Sequence, residues 1–384
     1  MRPVLIVFSL LFAPVFILGF PACGFAASIT TTARQAIILD AETGQVLFEK
    51  AADEKVPTSS MSKVITMYVV FEALKKGDIQ LDTDLDVSEK AWAMGGSKMF
   101  VPVGKTVKVE DLIRGVIIQS GNDATIVLAE GLSGTEDIFA AALNQKAAEL
   151  GMENSHFVNA SGWPDENHYS TVRDLARLSL KTIEDFPEYY KYFAEKEFTY
   201  NNIRQENRNP LLYKNIGADG LKTGHTESGG YGLMASGTRD GRRVVLVLNG
   251  MESKEERAKE SGRLLDWGLR VFQNMQLFEA GETVEEAPVS MGKAKKVPLV
   301  LGAPLLLTVP KMEKNAVHVE AKYPKPLDAP VVKGAQVGTL VVTIPSMAPM
   351  EYPLLAGEEV EKLGFFKAWL ERLKIRIGGM MSHE

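Results

Sequence analysis

From Arg34 to Lys50, RQAIILDAETGQVLFEK, apolar and polar residues alternate on either side of Glu42-Thr43-Gly44. A period of two broken by a glycine predicts a β-hairpin. The next run, MSKVITMYVVFEALKKG, is apolar almost all round. It predicts a helix buried in a core, stopped at Gly77 after Lys75 and Lys76. Between Val109 and Leu132 the pattern gives a helix, a short polar break and a second helix. Thr135 to Leu150, closed by Gly151, and TVRDLARLSLKTI give two more. After Asp219, GLKTGHTESGGYGLMASGTRDGRRVVLVLNG reads as two or three strands with glycine-rich turns, and SKEERAKESGRLLDWGLRVFQN as a closing helix. The order hairpin, helices, hairpin strands, helix predicts an α+β domain, one antiparallel sheet with helices packed on it.

The pattern shifts near Met275. From there to about Leu355 short runs such as PLLLTVP, AVHVEA and GTLVVTIP carry many Val and Pro and no helical period, which predicts a small all-β domain. The end changes again. Leu363, Phe366, Leu370, Leu373 and Ile377 are spaced 3, 4, 3 and 4, and Lys362 to Ile377 holds five basic residues and one acidic. That is the signature of an amphipathic helix lying in a membrane interface, too short and too charged to span a bilayer. At the other end, Arg2 precedes the apolar run PVLIVFSLLFAPVFILGF and the small residues of PACGFAAS. This predicts an export signal cleaved after Ala26. The expected division is therefore 1–26 signal peptide, 27–275 catalytic domain, 276–356 β-rich domain and 357–384 anchoring tail.

Composition narrows the chemistry. The 384 residues suit two or three domains, and a net charge of -6 argues against general nucleic-acid binding. Cys23 is the one cysteine and lies in the removable segment. The mature chain then has no disulfide, no cysteine nucleophile and no cysteine-ligated metal. No zinc helix of the H-E-x-x-H kind and no G-x-S-x-G elbow occurs, so no cofactor is expected.

A hydroxyl nucleophile needs a base within hydrogen-bond reach. A lysine serves once burial or a neighbouring cation lowers its pKa. In Pro57-Thr-Ser-Ser-Met-Ser-Lys63, only Ser60 lies three residues before Lys63 on a shared helix face, and it sits at the positive end of the helix dipole. The same four-letter pattern at Ser290-Met-Gly-Lys293 opens no helix and reads as chance. Alone, Ser60 also fits a helix cap. Ser120-Gly-Asn122, between two expected helices, and Lys222-Thr223-Gly224, in an expected edge strand, complete the S-x-x-K, S-x-N and K-T-G set in order.

That set resembles the penicillin-recognising serine enzymes. The stretches PTSSMSKVITMYVV, LIRGVIIQSGNDA, EKEFTYNNIRQENRN and DGLKTGHTESGGYGLMAS look like the D-alanyl-D-alanine carboxypeptidases among the low-molecular-mass penicillin-binding proteins. The resemblance implies a transpeptidase/β-lactamase-like catalytic fold and a peptidoglycan stem pentapeptide as substrate, with β-lactams as inhibitors. It makes Ser60 the nucleophile and Lys63 its base, with Ser120 and Lys222 relaying a proton to the leaving D-alanine. It has Lys222 hold down the pKa of Lys63 and Asn122 orient the substrate amide. The backbone N–H groups of Ser60 and His225 become the oxyanion hole, and Gly224 lies in the substrate-binding strand. Thr223, Thr226 and Arg257 would read the free carboxylate. The family reads closer to Gly-Arg-Glu-Glu where this chain has Glu256-Arg257-Ala258.

It further implies a peripheral protein on the periplasmic face of the bacterial inner membrane. A D,D-endopeptidase acting on cross-links shares the chemistry, and a catalytically silent envelope scaffold is the alternative of another class. A class A β-lactamase is disfavoured, because WPDENHYS carries Glu166 without that family's loop motif.

Overall fold

The computed structural model describes residues 29–367 and 369, so the expected signal peptide and most of the tail lie outside the described residues. Five strands build the main sheet: β1 (Gln35–Asp40), β2 (Val46–Lys50), β3 (Ala218–Thr226), β4 (Gly230–Arg239) and β5 (Arg242–Met251). Their order is β2-β1-β5-β4-β3, antiparallel throughout. Six helices matter most: α1 (Lys63–Lys76), α2 (Val109–Ile117), α3 (Asn122–Ser133), α4 (Glu136–Glu149), α5 (Val172–Asp185) and α6 (Lys254–Val271).

Period-two alternation divides the sheet between two cores. Val244, Leu246 and Leu248 of β5, with Ala36 and Ile38 of β1, pack with Leu264, Leu265 and Leu269 of α6. Val245 and Val247, with Ile37 and Leu39, face a larger core that includes α1 to α5. Helix α1 runs through that core with ten of its 14 residues buried, Lys63 among them. A central helix that reaches solvent only along a narrow stripe at Val69, Glu72, Lys75 and Lys76 explains the weak amphipathicity of its sequence. A 3₁₀ turn, Ser59–Ser62, leads into it.

Strand Phe272–Phe278 follows α6 at once and pairs with Leu305–Pro310. A six-stranded sheet, including Thr283–Ser290, Gln336–Thr343 and Met350–Ala356, completes a separate all-β core. The expected boundary at 275/276 therefore falls inside a strand, and the second domain starts at Phe272. The expected tail start at 357 is also early. Val360 is buried in the β core and Lys362 bridges Gly292, so the domain runs on to about Lys362. Helical backbone begins at Phe365. Ser290 and Lys293 lie in this domain, and Lys293 pairs with Glu361 at the surface, apart from any helix start.

Asp40, at the end of β1, joins the two units. It is fully buried and accepts Arg242 Nε at 2.6 Å through Oδ2. Its Oδ1 accepts the Glu42 and Thr43 amides at 3.0 Å and Asn274 Nδ2 of the β-domain at 3.2 Å. Arg242 also donates to the carbonyls of Gly268, Leu269 and Phe272 where α6 ends. Gln45 and the backbone of Thr308 exchange two further bonds across the junction, of 2.9 and 3.1 Å. Removing one member of a buried pair strands the other charge in a low dielectric. Arg242→Met is expected to cost about 3–5 kcal/mol in urea unfolding; a loss below about 1 kcal/mol would contradict this role for the pair.

Candidate active site

Three elements converge on Ser60. The first is the 3₁₀ turn before α1, where residues i and i+3 eclipse, so Ser60 lies directly beneath Lys63. The Lys63 ammonium donates to Ser60 Oγ at 2.9 Å, to Asn122 Oδ1 at 2.7 Å and to the Ser161 carbonyl at 2.6 Å. Those three acceptors use all of its N–H groups and fix its position. The second element is the turn before α3. Ser120 sits there at φ +59, a conformation a side chain rarely adopts and one that stored strain at functional sites favours. Its Oγ accepts Lys222 Nζ at 2.9 Å. The third is β3, the edge strand carrying Lys222, Thr223 and Gly224.

The elements meet backbone to backbone. A Cβ on Gly224 would lie 2.4 Å from Ser59 Oγ, so only glycine lets β3 pass this close to the turn. Gly162, at φ +77, packs against the Ser59 carbonyl, where a Cβ would come within 1.9 Å. The turn holding Ser60 is thus gripped from both sides.

The electrostatics are unusual. Lys63 is sealed from solvent, and its pKa is lowered to about 7, first by burial and then by the Arg208 guanidinium, with Asp123 opposing. Lys222 is pushed well below its ordinary range by burial, then by Lys63, Arg208 and Arg257. Lys63 and Lys222 lie in each other's field, and Arg208 adds a further cation beside both. Arg208 donates to Ser97 Oγ at 2.5 Å. It falls in EKEFTYNNIRQENRN, a stretch that resembles the family but carries no motif for it.

Asn122 is more engaged than its expected role requires. Its Oδ1 is taken by Lys63 and one N–H goes to the Gly95 carbonyl at 2.9 Å. One N–H is left for a substrate. Asp123, which the sequence reading passed over, is fully buried and accepts the backbone amides of Met99, Phe100 and Val101. It clamps the 99–101 segment over the start of α3, where an acid also meets the helix dipole.

His168 was likewise missed. Its Nδ1 accepts the Val158 amide, its Nε2 lies 2.8 Å from Ser62 Oγ, and Ser62 lies 2.5 Å from Thr58 Oγ1. Burial lowers its pKa to about 4, so it stays neutral. This serine–histidine pair braces the turn from below, and Ser62 is buried with no path to a substrate.

The expected carboxylate readers sit at the far end of β3. The His225 ring lies on Tyr231 at 4.0 Å, and Arg257 lies on Tyr231 at 5.6 Å. Arg257 is 7% exposed, its Nε has no hydrogen-bond partner, and burial lowers its pKa to about 10. Among the described residues it forms no ion pair, so the surface salt bridge that a neighbouring Glu could supply is absent. Thr223 is buried beside Lys222, and Thr226 Oγ1 accepts the Gly229 amide, which leaves its proton free to donate.

The model of the D-alanyl-D-alanine carboxypeptidase family matches residues 24–253, and that of the penicillin-binding protein 5 C-terminal domain matches residues 272–362. The chain is 38% identical to D-alanyl-D-alanine carboxypeptidase DacC of Escherichia coli (strain K12), over 94% of this chain and 92% of that protein. The crystal structure of penicillin-binding protein 5 from Haemophilus influenzae is similar at TM-score 0.76 and 36% identity, covering 87% of this chain and 99% of that one. Penicillin-binding protein D2 from Listeria monocytogenes, solved in an ampicillin-bound form, is similar at TM-score 0.58 and 31% identity, covering 62% of this chain and 98% of that one.

A base with a pKa near 7 gives a clear pH signature. The rate of serine acylation by a β-lactam should rise through about pH 7 as Lys63 loses its proton. Arg208→Gln removes a cation, raises the Lys63 pKa and moves that limb to higher pH. Below pH 7 the variant should be slower by about 3- to 10-fold. A limb that stays in place would contradict the role of Arg208.

Proposed function

The chain belongs to the D-alanyl-D-alanine carboxypeptidase family, and from that premise we propose how it removes the terminal D-alanine from a peptidoglycan pentapeptide. The observation that carries the reading is a serine–lysine pair at 2.9 Å in one cleft with a buried guanidinium that has no carboxylate of its own. An exopeptidase needs both, a nucleophile and a reader of the free C-terminus.

Neutral Lys63 takes the Ser60 proton as Oγ adds to the carbonyl between the two D-alanines. The Ser60 and His225 backbone N–H groups receive the oxyanion. Asn122 gives its remaining N–H to the substrate amide. The proton Lys63 took passes through Ser120, held by Lys222, to the departing amine, so the C–N bond breaks and Lys63 is neutral again. Arg257, Thr223 and Thr226 hold the leaving carboxylate. Water then attacks the acyl ester; Lys63 accepts its proton and returns it to Ser60 Oγ as the acyl–Oγ bond breaks. A β-lactam acylates Ser60 by the same addition, but its ring-opened amine stays attached.

The enzyme acts outside the cytoplasmic membrane. The segment 1–26 directs export and is removed after Ala26. The chain past Leu363 lies in the membrane interface on the periplasmic face, with Phe365, Phe366 and Trp369 fully or half exposed to meet it. Val360 and Lys362 are tied into the β-domain, so a clean test truncates the chain after Leu363.

Incubation with a pentapeptide ending in D-Ala-D-Ala should release one D-alanine by mass spectrometry, and Ser60→Ala should abolish both release and the penicillin adduct. Cleavage of a cross-linked dimer alone would make the protein an endopeptidase; no adduct on Ser60 would remove the enzyme reading. Arg257→Ala should lower kcat/KM for the peptide by about 10- to 10²-fold, the size of a lost charged contact. Truncation after Leu363 should release the protein from membranes, and retention would sink the anchor.

A further inference from the structure

An aromatic ridge borders the cleft, outside the catalytic groups. Trp163 is 45% exposed, yet its indole lies against Gly95 and Gly96. A Cβ on Gly96 would come 2.8 Å from Asn122 Nδ2 and 3.0 Å from the Trp163 ring. The indole and the amide assigned to the substrate therefore flank one glycine. Trp92 and Phe100 stand four residues to either side of Gly96 and are 50% and 46% exposed. Four residues of chain span at most about 14 Å, which keeps both within reach of the cleft.

The ridge is built, not incidental. Met99 and Val101 are buried, and Phe100 between them is exposed. Its backbone sits at φ +69, a left-handed conformation that a bulky side chain rarely adopts. Two bonds hold it there. Asp123 Oδ2 accepts the Phe100 amide at 2.7 Å, and Asn201 Nδ2 donates to the Phe100 carbonyl at 3.2 Å. A strained residue kept in place by its surroundings points to a function. Asn201 and Asn202, at the tip of the hairpin that reaches Phe100, are both exposed. Gln205 of the same hairpin donates to the Lys98 carbonyl at 3.0 Å. Trp92 belongs to the short helix Glu89–Ala93, and the Lys98 ammonium lies 6.0 Å from its ring. The Asn122 amide donates to the Ser97 carbonyl at 2.8 Å and its Nδ2 to that of Gly95, so the segment between Trp92 and Phe100 is fastened to the head of α3.

We propose that this ridge binds the amino-sugar chain that carries the stem peptide. This rests on the carboxypeptidase reading and extends the substrate from a peptide to a peptide on its glycan. The C–H bonds on one face of a pyranose carry slight positive charge and suit the negative face of an aromatic ring. Its hydroxyl and acetamido groups suit the amides of Asn201 and Asn202. Rings set among amides and an ammonium fit such a ligand better than they fit a hydrocarbon surface, which calls for one continuous apolar patch. The reach also agrees. Three residues precede the two D-alanines of a pentapeptide and span about 10 Å. The sugar bearing them then emerges where a ridge within about 14 Å of Gly96 meets it.

The test compares a pentapeptide acetylated at its N-terminus with the same pentapeptide on a soluble N-acetylglucosaminyl–N-acetylmuramyl disaccharide. The native enzyme should favour the disaccharide-linked form by about 5- to 10-fold in kcat/KM, through KM, and 0.5 M salt should leave that preference in place. W92A/F100N, in which asparagine accepts the left-handed backbone, should bring the two substrates to within about twofold. It should still cleave the free peptide, and be acylated by penicillin, as fast as the native protein. Equal rates for both substrates in the native enzyme, or a preference that survives the double substitution, would overturn the ridge as a glycan site. So would a variant that keeps the preference but no longer binds vesicles of phosphatidylglycerol and phosphatidylethanolamine, which would give the rings to the membrane. Release of D-alanine from neither substrate would instead overturn the carboxypeptidase reading, and the glycan site with it.

Discussion

One buried ammonium organises this molecule. Lys63 has no solvent contact, and a charge in such a place must find acceptors or lose its proton. Both happen. Three oxygens from three separate segments converge on it, those of Ser60, Asn122 and Ser161. The remaining cost of burial, with Arg208 nearby, brings its pKa down to about 7. The same arrangement that fixes the lysine makes it a base at neutral pH.

The fold serves that convergence. With ten of its 14 residues buried, α1 cannot shift without disturbing a close-packed core, so its first residue is held with it. The 3₁₀ turn then eclipses Ser60 with Lys63. Gly224 and Gly162 let two backbones close on that turn where any side chain would collide. The network at Asp40 and Arg242 does the equivalent at larger scale, coupling the end of β1, the end of α6 and the β-domain through one buried carboxylate.

Much of this was legible beforehand, because period and punctuation are local. The Arg34–Lys50 hairpin, α1 with its stop at Gly77, the polar break before α3 and the edge position of Lys222 all follow from residues next to one another in sequence. The pairing of Ser60 with Lys63 follows from spacing alone. Domain edges were harder. Phe272 leaves α6 and enters a strand with no breaker between, and Val360 joins the β core through pairing with the distant Val331. The neighbours that set the chemistry were least legible. Arg208, Asp123 and His168 act through space on residues far away in sequence, and a lone Arg or His in a polar stretch carries no periodic signal. Hence Arg208, a further cation acting on both Lys63 and Lys222, could not be picked out from its own stretch of sequence.

The account rests on Lys63 being a base of lowered pKa, and that can be observed directly. In protein labelled with carbon-13 at lysine Cε, one resonance should titrate with a midpoint near pH 7 and vanish in Lys63→Arg. If the resonance removed by that substitution titrates instead near 10.5, the ordinary lysine value, Lys63 is not the base and the mechanism fails.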